Sequence, residues 1–256
     1  SHYSLEDQGQ AADIKDRRKA LGKVMGTTIK SPTSDYMALF ALQTVYAIII
    51  KLIACRVLTK IEHENEPIFF EDLIELNSED LKRRLNYMES GNAIPDIQNL
   101  LEGDFFSWYC TDSVWNEEAF DNIVPLIREL GIYTPESYLW NSRTLDIFES
   151  LYMGMMPPAV RHSNGEYFTP SWLANQVVDR SIEVGGLDDN FTAIDPCCGS
   201  GVFIMQLIKK FIQGKDIGRM SIEDKRRMVE KIFNGVYGVD INPLSVLAAR
   251  VNFFLS

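Results

Sequence analysis

Histidine and cysteine are scarce, with three and four residues among 256. Cys55, Cys110, Cys197 and Cys198 lack the paired spacing of a zinc site, and no histidine pair accompanies them, so no metal centre is expected. Reduced thiols, as in a cytoplasmic protein, are the expectation. Positive charge is also in deficit: 25 Lys and Arg face 36 Asp and Glu, a formal net charge of −11. Phosphate-backbone affinity comes largely from Lys and Arg. No basic block stands out, so DNA contacts are expected mainly through regions beyond this chain. Internal repeats, low-complexity segments and an opening signal peptide are absent. The start at Ser1-His2, without Met, is what an excised piece or a processing scar would leave. The longest apolar stretch, Leu39 to Leu58, has the length of a membrane span but contains Gln43, Thr44, Lys51 and Arg56. A buried helix is expected there and no membrane partner.

What is present suits a folded protein. A hydrophobic content of 46% and an aromatic content of 11% supply a core and exclude the apolar-poor composition of disordered chains. Residues 1–155 read as a helical domain. Asp35 to Lys60, apolar nearly all round, is expected to be its central helix. Ser78 is expected to cap Glu79 to Met88, Glu117 to Leu130 has helical spacing with Gly131 as its stop, and Arg143 to Met153 forms a short amphipathic helix. The aromatic group Phe105, Phe106, Trp108, Tyr109 and Trp115 is expected to pack between helices rather than to stack bases.

The character changes after Pro157-Pro158, and residues 156–256 read as the opening of an α/β domain. Phe191 to Asp195 is a strand ending at a glycine turn, followed by a helix with Phe203, Leu207, Ile208 and Phe211 on its buried side. Ser221-Ile-Glu-Asp224 is a capping box, Val236 to Asp240 a second strand, and Asn242-Pro243 the start of another helix. Strand, helix, helix, strand, helix begins a doubly wound, Rossmann-like fold, truncated after its second strand and the helix that follows.

Three segments carry chemistry. In Asp195-Pro-Cys-Cys-Gly199-Ser-Gly201, the glycines allow a tight turn and close approach of a ligand, and amides opening the next helix can face a carboxylate. Asp195 could meet an ammonium group. The methionine end of S-adenosylmethionine presents both charges. A dinucleotide fingerprint is disfavoured, because Ile204 stands where a third glycine is needed and the next strand-end acid, Asp240, lies 45 residues after Asp195. Asp240 suits the vicinal hydroxyls of a ribose, or else caps the helix near Asn242; Ile241 would then wall an adenine ring. In Gly165-Glu-Tyr-Phe-Thr-Pro170, Thr169 can cap a helix whose first residue is Pro170.

Together these segments resemble the N6-adenine DNA methyltransferases of type I and type IIG restriction–modification systems and related phage-defence enzymes. The resemblance runs from about Leu151 to Leu255, opening with Leu151-Tyr-Met-Gly-Met-Met-Pro-Pro-Ala-Val-Arg161. It implies S-adenosylmethionine as cofactor, held by Tyr167, Phe168, Thr169 and Pro170 at the methionine end, by Asp195, Pro196, Gly199, Ser200, Gly201 and Phe203 of the glycine loop, and by Asp240 and Ile241. Cys197 departs from the family, where alanine is common. DNA is the implied partner, with a specificity or restriction subunit as a further one. The family's Asn/Asp-Pro-Pro-aromatic tetrapeptide, which holds the flipped adenine, does not occur in these residues. Catalytic residues are therefore expected beyond Ser256, and the fragment alone is expected to be inactive. Two alternatives stay open: an amino-methyltransferase acting on protein or RNA, and a degenerate methyltransferase fold serving as a helical interaction module.

Overall fold

The computed structural model describes residues 2–62, 71–94, 97–101, 105–134, 137, 147–185 and 191–255. Helices α1 (His2–Val24) and α2 (Pro32–Glu62) open the chain. The apolar run of α2 is long enough to cross a membrane by length and composition, yet 72% of it is buried within the protein. Its buried polar side chains Asp35, Thr44, Lys51 and Arg56 each make at least one hydrogen bond, which offsets the cost of burying them. Asp35 accepts from Arg17 Nη2 at 2.6 Å and Arg18 Nε at 3.3 Å. Thr44 Oγ1 donates to the Phe40 carbonyl and accepts from Trp108 Nε1, both at 2.9 Å. Lys51 donates to Glu89, and Arg56 Nη2 donates to the Gly131 carbonyl at 3.1 Å. The membrane-length stretch is thus the core helix of a bundle.

A 3₁₀ turn (Glu71–Glu75), α3 (Ser78–Glu89), a second 3₁₀ turn (Trp108–Cys110), α4 (Glu117–Gly131), α5 (Ile147–Met155) and α6 (Pro158–Ser163) complete the bundle. Several helix ends differ from the sequence expectation. Asn77, not Ser78, caps α3 by accepting from Asp80 N at 3.0 Å; Ser78 Oγ instead receives Trp115 Nε1 at 3.1 Å. Gly131 remains inside α4, whose cap is Ile132 in right-handed helical conformation, because the Gly131 carbonyl is used by Arg56. The expected start of the next helix, 143–146, lies outside the described residues; the helix is present from Ile147. Among the aromatics, Phe106 and Tyr109 are buried and Trp108 and Trp115 pack against the core, while Phe105 stays exposed.

The second half runs α7 (Ser171–Gly185), β1 (Ala193–Asp195), α8 (Val202–Ile212), α9 (Ile222–Gly235), β2 (Val236–Gly238) and α10 (Pro243–Leu255). The strands are parallel, with Ala193 opposite Val236 and Asp195 opposite Gly238. Parallel strands need a crossover, which α8 and α9 supply. Ser221 caps α9 by accepting from Asp224 N at 3.1 Å. Asn242 Oδ1 accepts from Leu244 N at 3.0 Å and caps α10. The strands are shorter than their hydrophobic runs suggest, but Val239 extends the pairing, its N–H reaching the Asp195 carbonyl at 2.9 Å and its carbonyl receiving Cys198 N at 3.0 Å.

Helix α10 joins the two regions. Leu244, Leu247, Ala248, Val251 and Leu255 enter the core of the helical bundle, while Ala249 belongs to the core formed by α8, α9 and β2. One helix therefore presents apolar residues to two layers, which fixes the strand ends against α2 and α5.

Candidate functional site

The loop after β1 is built around its glycines. Gly201 has φ +94°, a left-handed conformation that other residues adopt only under strain, and Gly199 has φ +53°. The turn is held from three sides. Gly199 N donates to Asp240 Oδ2 at 2.9 Å, Asn252 Nδ2 donates to the Ser200 carbonyl at 2.9 Å, and Cys197 N donates to Asp195 Oδ1 at 3.1 Å. Asp240 Oδ1 also accepts from Asn242 N at 2.8 Å. A single carboxylate thus ties the end of β2 to the glycine loop and to the start of α10. Each of its oxygens keeps lone-pair capacity beyond the one bond made here.

Gly165 to Phe168 closes the opposite side. Glu166 Oε2 accepts from the Tyr152 hydroxyl at 2.7 Å, and Oε1 accepts from Asn164 Nδ2 at 3.4 Å. Tyr152 stands edge-on to both Tyr46 (ring centroids 5.1 Å apart) and Phe168 (5.6 Å). Tyr46 in turn donates its hydroxyl to the Phe148 carbonyl at 2.8 Å. This chain of contacts anchors the segment to α2 and α5. Burial pushes the Glu166 carboxyl above its ordinary value, with the donated bonds from Tyr152 and Asn164 working against the rise. Burial and the neighbouring Glu166 charge likewise raise the Tyr152 phenol.

Between these walls lies a cleft of about 320 Å³. Of the residues singled out from the sequence, Tyr167, Phe168, Gly199, Ser200, Asp240 and Ile241 line it. Tyr167 is largely exposed, with its hydroxyl 2.8 Å from His162 Nδ1, and Ile241 is fully exposed. Thr169, Pro170 and Gly201 do not line the cleft. Helix α7 starts at Ser171, one residue later than the Thr-Pro pattern suggests; the Pro170 carbonyl accepts from Leu173 N and Ala174 N, and Thr169 makes no capping bond to α7 among the described residues. Asp195, Pro196 and Phe203 line a second cleft, of about 680 Å³, bounded by α7, the outer edge of β1 and α8.

The structure adds residues that the sequence reading did not select. Glu166 sat inside the quoted motif and Tyr152 inside its lead-in, so both were within reach of a reading that asked which motif side chains turn inward. Tyr46 carried no such signal, being one apolar position among many in α2. Asn242 appeared only as a cap, yet it also borders the cleft.

These groups fit a zwitterionic amino-acid end joined to a ribose. Asp195, expected from the sequence to meet the ammonium group, borders the other cleft instead, with its Oδ2 buried and without a hydrogen-bond partner. The glycine loop keeps side chains away from the opening of α8, whose N-cap Gly201 makes no side-chain capping bond. Asp240 presents spare acceptor capacity beside the apolar surface of Ile241.

The adjacent cysteines differ chemically. Cys197 is exposed and borders the cleft, whereas Cys198 is buried, and burial, helped by the charges of Asp240 and Asp195, pushes its thiol up to about 11. A thiolate is the reactive form. Limited maleimide treatment at neutral pH is therefore expected to label Cys197 and to leave Cys198 unmodified, as read by peptide mass mapping. Equal labelling of the two would mean that the glycine loop opens in solution.

Comparison with known proteins finds two similarities. Residues 143–256 match the N-6 DNA Methylase family. The chain is also similar to the adenine-specific methyltransferase PglX of Streptomyces coelicolor, 26% identical over 128 residues, which are 46% of this chain and 10% of that protein. The chain therefore spans about a tenth of the length of the curated relative it matches. The matched region contains the glutamate–tyrosine–phenylalanine wall, the glycine loop and Asp240. Over residues 143–256 this chain is therefore similar to the N-6 DNA methylases.

Proposed function

We propose that this chain forms the S-adenosylmethionine-binding wall of a DNA adenine N6-methyltransferase working in cytoplasmic restriction–modification or phage defence. DNA is its substrate, and a specificity or restriction subunit is its protein partner. One observation carries the reading: Glu166–Phe168, Gly199–Ser200 and Asp240–Ile241, distant in sequence, converge on one cleft whose chemistry matches a zwitterion joined to a nucleoside.

When bound, S-adenosylmethionine supplies a sulfonium methyl group to an amine. The residues of this chain bind and orient it. Gly199 and Gly201 let the backbone approach, and the amides opening α8 would face the carboxylate. Asp240 would accept from the ribose hydroxyls, held in position by Gly199 N and Asn242 N. Phe168, braced by Tyr152, would wall the methionine end. No step on the target base is assigned to these residues.

Calorimetric titration with S-adenosylmethionine tests the reading. Asp240→Ala leaves the ribose hydroxyls without an acceptor, a loss of ~1–3 kcal/mol, so binding is expected to weaken roughly 5- to 150-fold. Unchanged affinity in a variant with an unchanged melting curve would remove Asp240 from the site. No binding by the unsubstituted protein would remove the cofactor assignment itself.

A further inference from the structure

The net charge of the whole chain conceals a basic row at its start. Between Asp13 and Lys30 lie six Lys or Arg and two Asp, in a chain carrying −11 overall. Lys15, Lys19 and Lys23 follow at intervals of four on α1, so they share one face and span about 12 Å of helix axis. All three are exposed, as is Lys30 in the connection to α2. None of the four makes an ion pair among the described residues. Arg17 and Arg18 behave differently, both being turned onto the buried Asp35.

This contrasts with α9, where Arg226 pairs with Glu230 and Arg227 with Glu223 one turn away. Like charges at a spacing of four destabilise a helix by a few tenths of a kcal/mol each. A chain with so many carboxylates has left these lysines facing one another, and an anionic partner would offset that repulsion.

The row borders a cleft of about 750 Å³ that Gly22, Gly26, Thr27 and Thr28 also line. Its shape is set by a close backbone contact. Thr27 N donates to the Gly22 carbonyl at 3.0 Å, and a Cβ on Gly22 would fall 2.6 Å from the Thr27 carbonyl oxygen. The turn therefore brings Thr27 and Thr28 into the same cleft as Lys15, Lys19 and Lys23.

We propose that this row and the Thr27–Thr28 turn seat the phosphate backbone of duplex DNA, an inference that rests on the methyltransferase reading above. Phosphates recur about every 3.4 Å of axis along one strand, so a 12 Å row spans three to four of them. Hydroxyls and lysines together are the usual phosphate contacts, and they fix orientation without reading sequence. An anionic membrane is the poorer fit. An interfacial helix buries a broad face of large apolar side chains beside its lysines, and among the described residues Ile14, Val24 and Met25 are the exposed large apolar side chains between Asp13 and Lys30, scattered rather than on one face.

The test compares the full chain with its K15Q/K19Q/K23Q/K30Q variant, using fluorescence anisotropy on a mixed-sequence duplex over a range of salt concentrations. Each lysine that neutralises a phosphate contributes about 0.9 to the log–log salt slope. The slope is expected to flatten by roughly 2–4 units, to the same extent on unrelated sequences, while S-adenosylmethionine titrations stay unchanged. A control variant, R219Q/K225Q/R226Q/R227Q, should keep the original slope. An unaltered slope in the lysine variant, or equal losses in both variants, overturns the row and leaves the cofactor reading intact. Tighter retention of the unsubstituted chain on phosphatidylserine vesicles than on duplex at equal salt also overturns it. A flattened slope in a protein that binds no S-adenosylmethionine would support the row and sink the methyltransferase reading instead.

Discussion

Lys51→Met is expected to cost about 3–5 kcal/mol of stability, the largest effect of any single side-chain truncation considered for this protein. Lys51 is fully buried and donates to Glu89, itself buried, whose other oxygen accepts from the Tyr109 hydroxyl at 2.8 Å. Methionine fills most of the same volume but leaves a carboxylate in the core with one neutral donor. Burial already raises the Glu89 carboxyl above its ordinary value, even with Lys51 and Tyr109 opposing the rise. Without Lys51 it rises further, so the folded variant holds a proton that the unfolded chain releases. Folded protein then binds more protons than unfolded, and stability falls as pH rises. The deficit is thus smallest near pH 4 and grows toward neutrality. Urea unfolding across that range reads it directly. The double variant K51M/E89Q removes the stranded charge, keeps an acceptor for Tyr109, and is expected to recover more than half of the loss. A pH-independent loss below about 1 kcal/mol would mean that the pair is hydrated rather than buried.

Gly201→Val is expected to cost ~2–5 kcal/mol and to abolish cofactor binding together. The cost has two sources. At φ +94° a β-branched residue is strained. The added Cβ would also sit 3.4 Å from the Cβ of Ala249 on α10, leaving no room for two further methyl groups. To accommodate them, α10 must move away from the loop, and Asn252, which holds the Ser200 carbonyl, moves with it. Gly201→Ala shares the backbone strain but only touches Ala249, so it should lie between the two. Thermal melts report the first effect and S-adenosylmethionine titration the second. A valine variant that melts with the original protein would show that the loop does not hold this conformation in solution.

Much of the fold is legible in the residues. The order of strands and helices after Pro157, the core role of α2 despite its membrane-like length, the capping of α9 by Ser221 and of α10 by Asn242 all follow from local pattern and chemistry. Errors gather where two neighbouring residues compete for one role. Asn77 and Ser78 can each cap α3, and the choice falls to Asn77 because Trp115, 37 positions away, engages the Ser78 hydroxyl. Gly131 has the composition of a helix stop, but Arg56 from α2 takes its carbonyl and the helix continues past the expected residue. Neither distant partner is visible in a local window.

The candidate site divides in the same way. Its loop conformation, its paired strands and the position of Asp240 at a strand end are local matters, set by glycines, β-type runs and an Asn-Pro helix start, so the sequence by itself determined them. The tertiary structure alone decided which groups share a cleft. Asp195 and Phe203, close in sequence to Gly199 and Ser200, border a different cavity, because a strand and the helix after it present residues to opposite sides of the sheet edge. Tyr46 and Tyr152 enter the site from the helical bundle because α10 buries one face there while another packs toward the sheet. The basic row on α1 is hidden in the net charge for a related reason: net charge is a sum over the chain, whereas a phosphate meets only the side chains on one face of one helix.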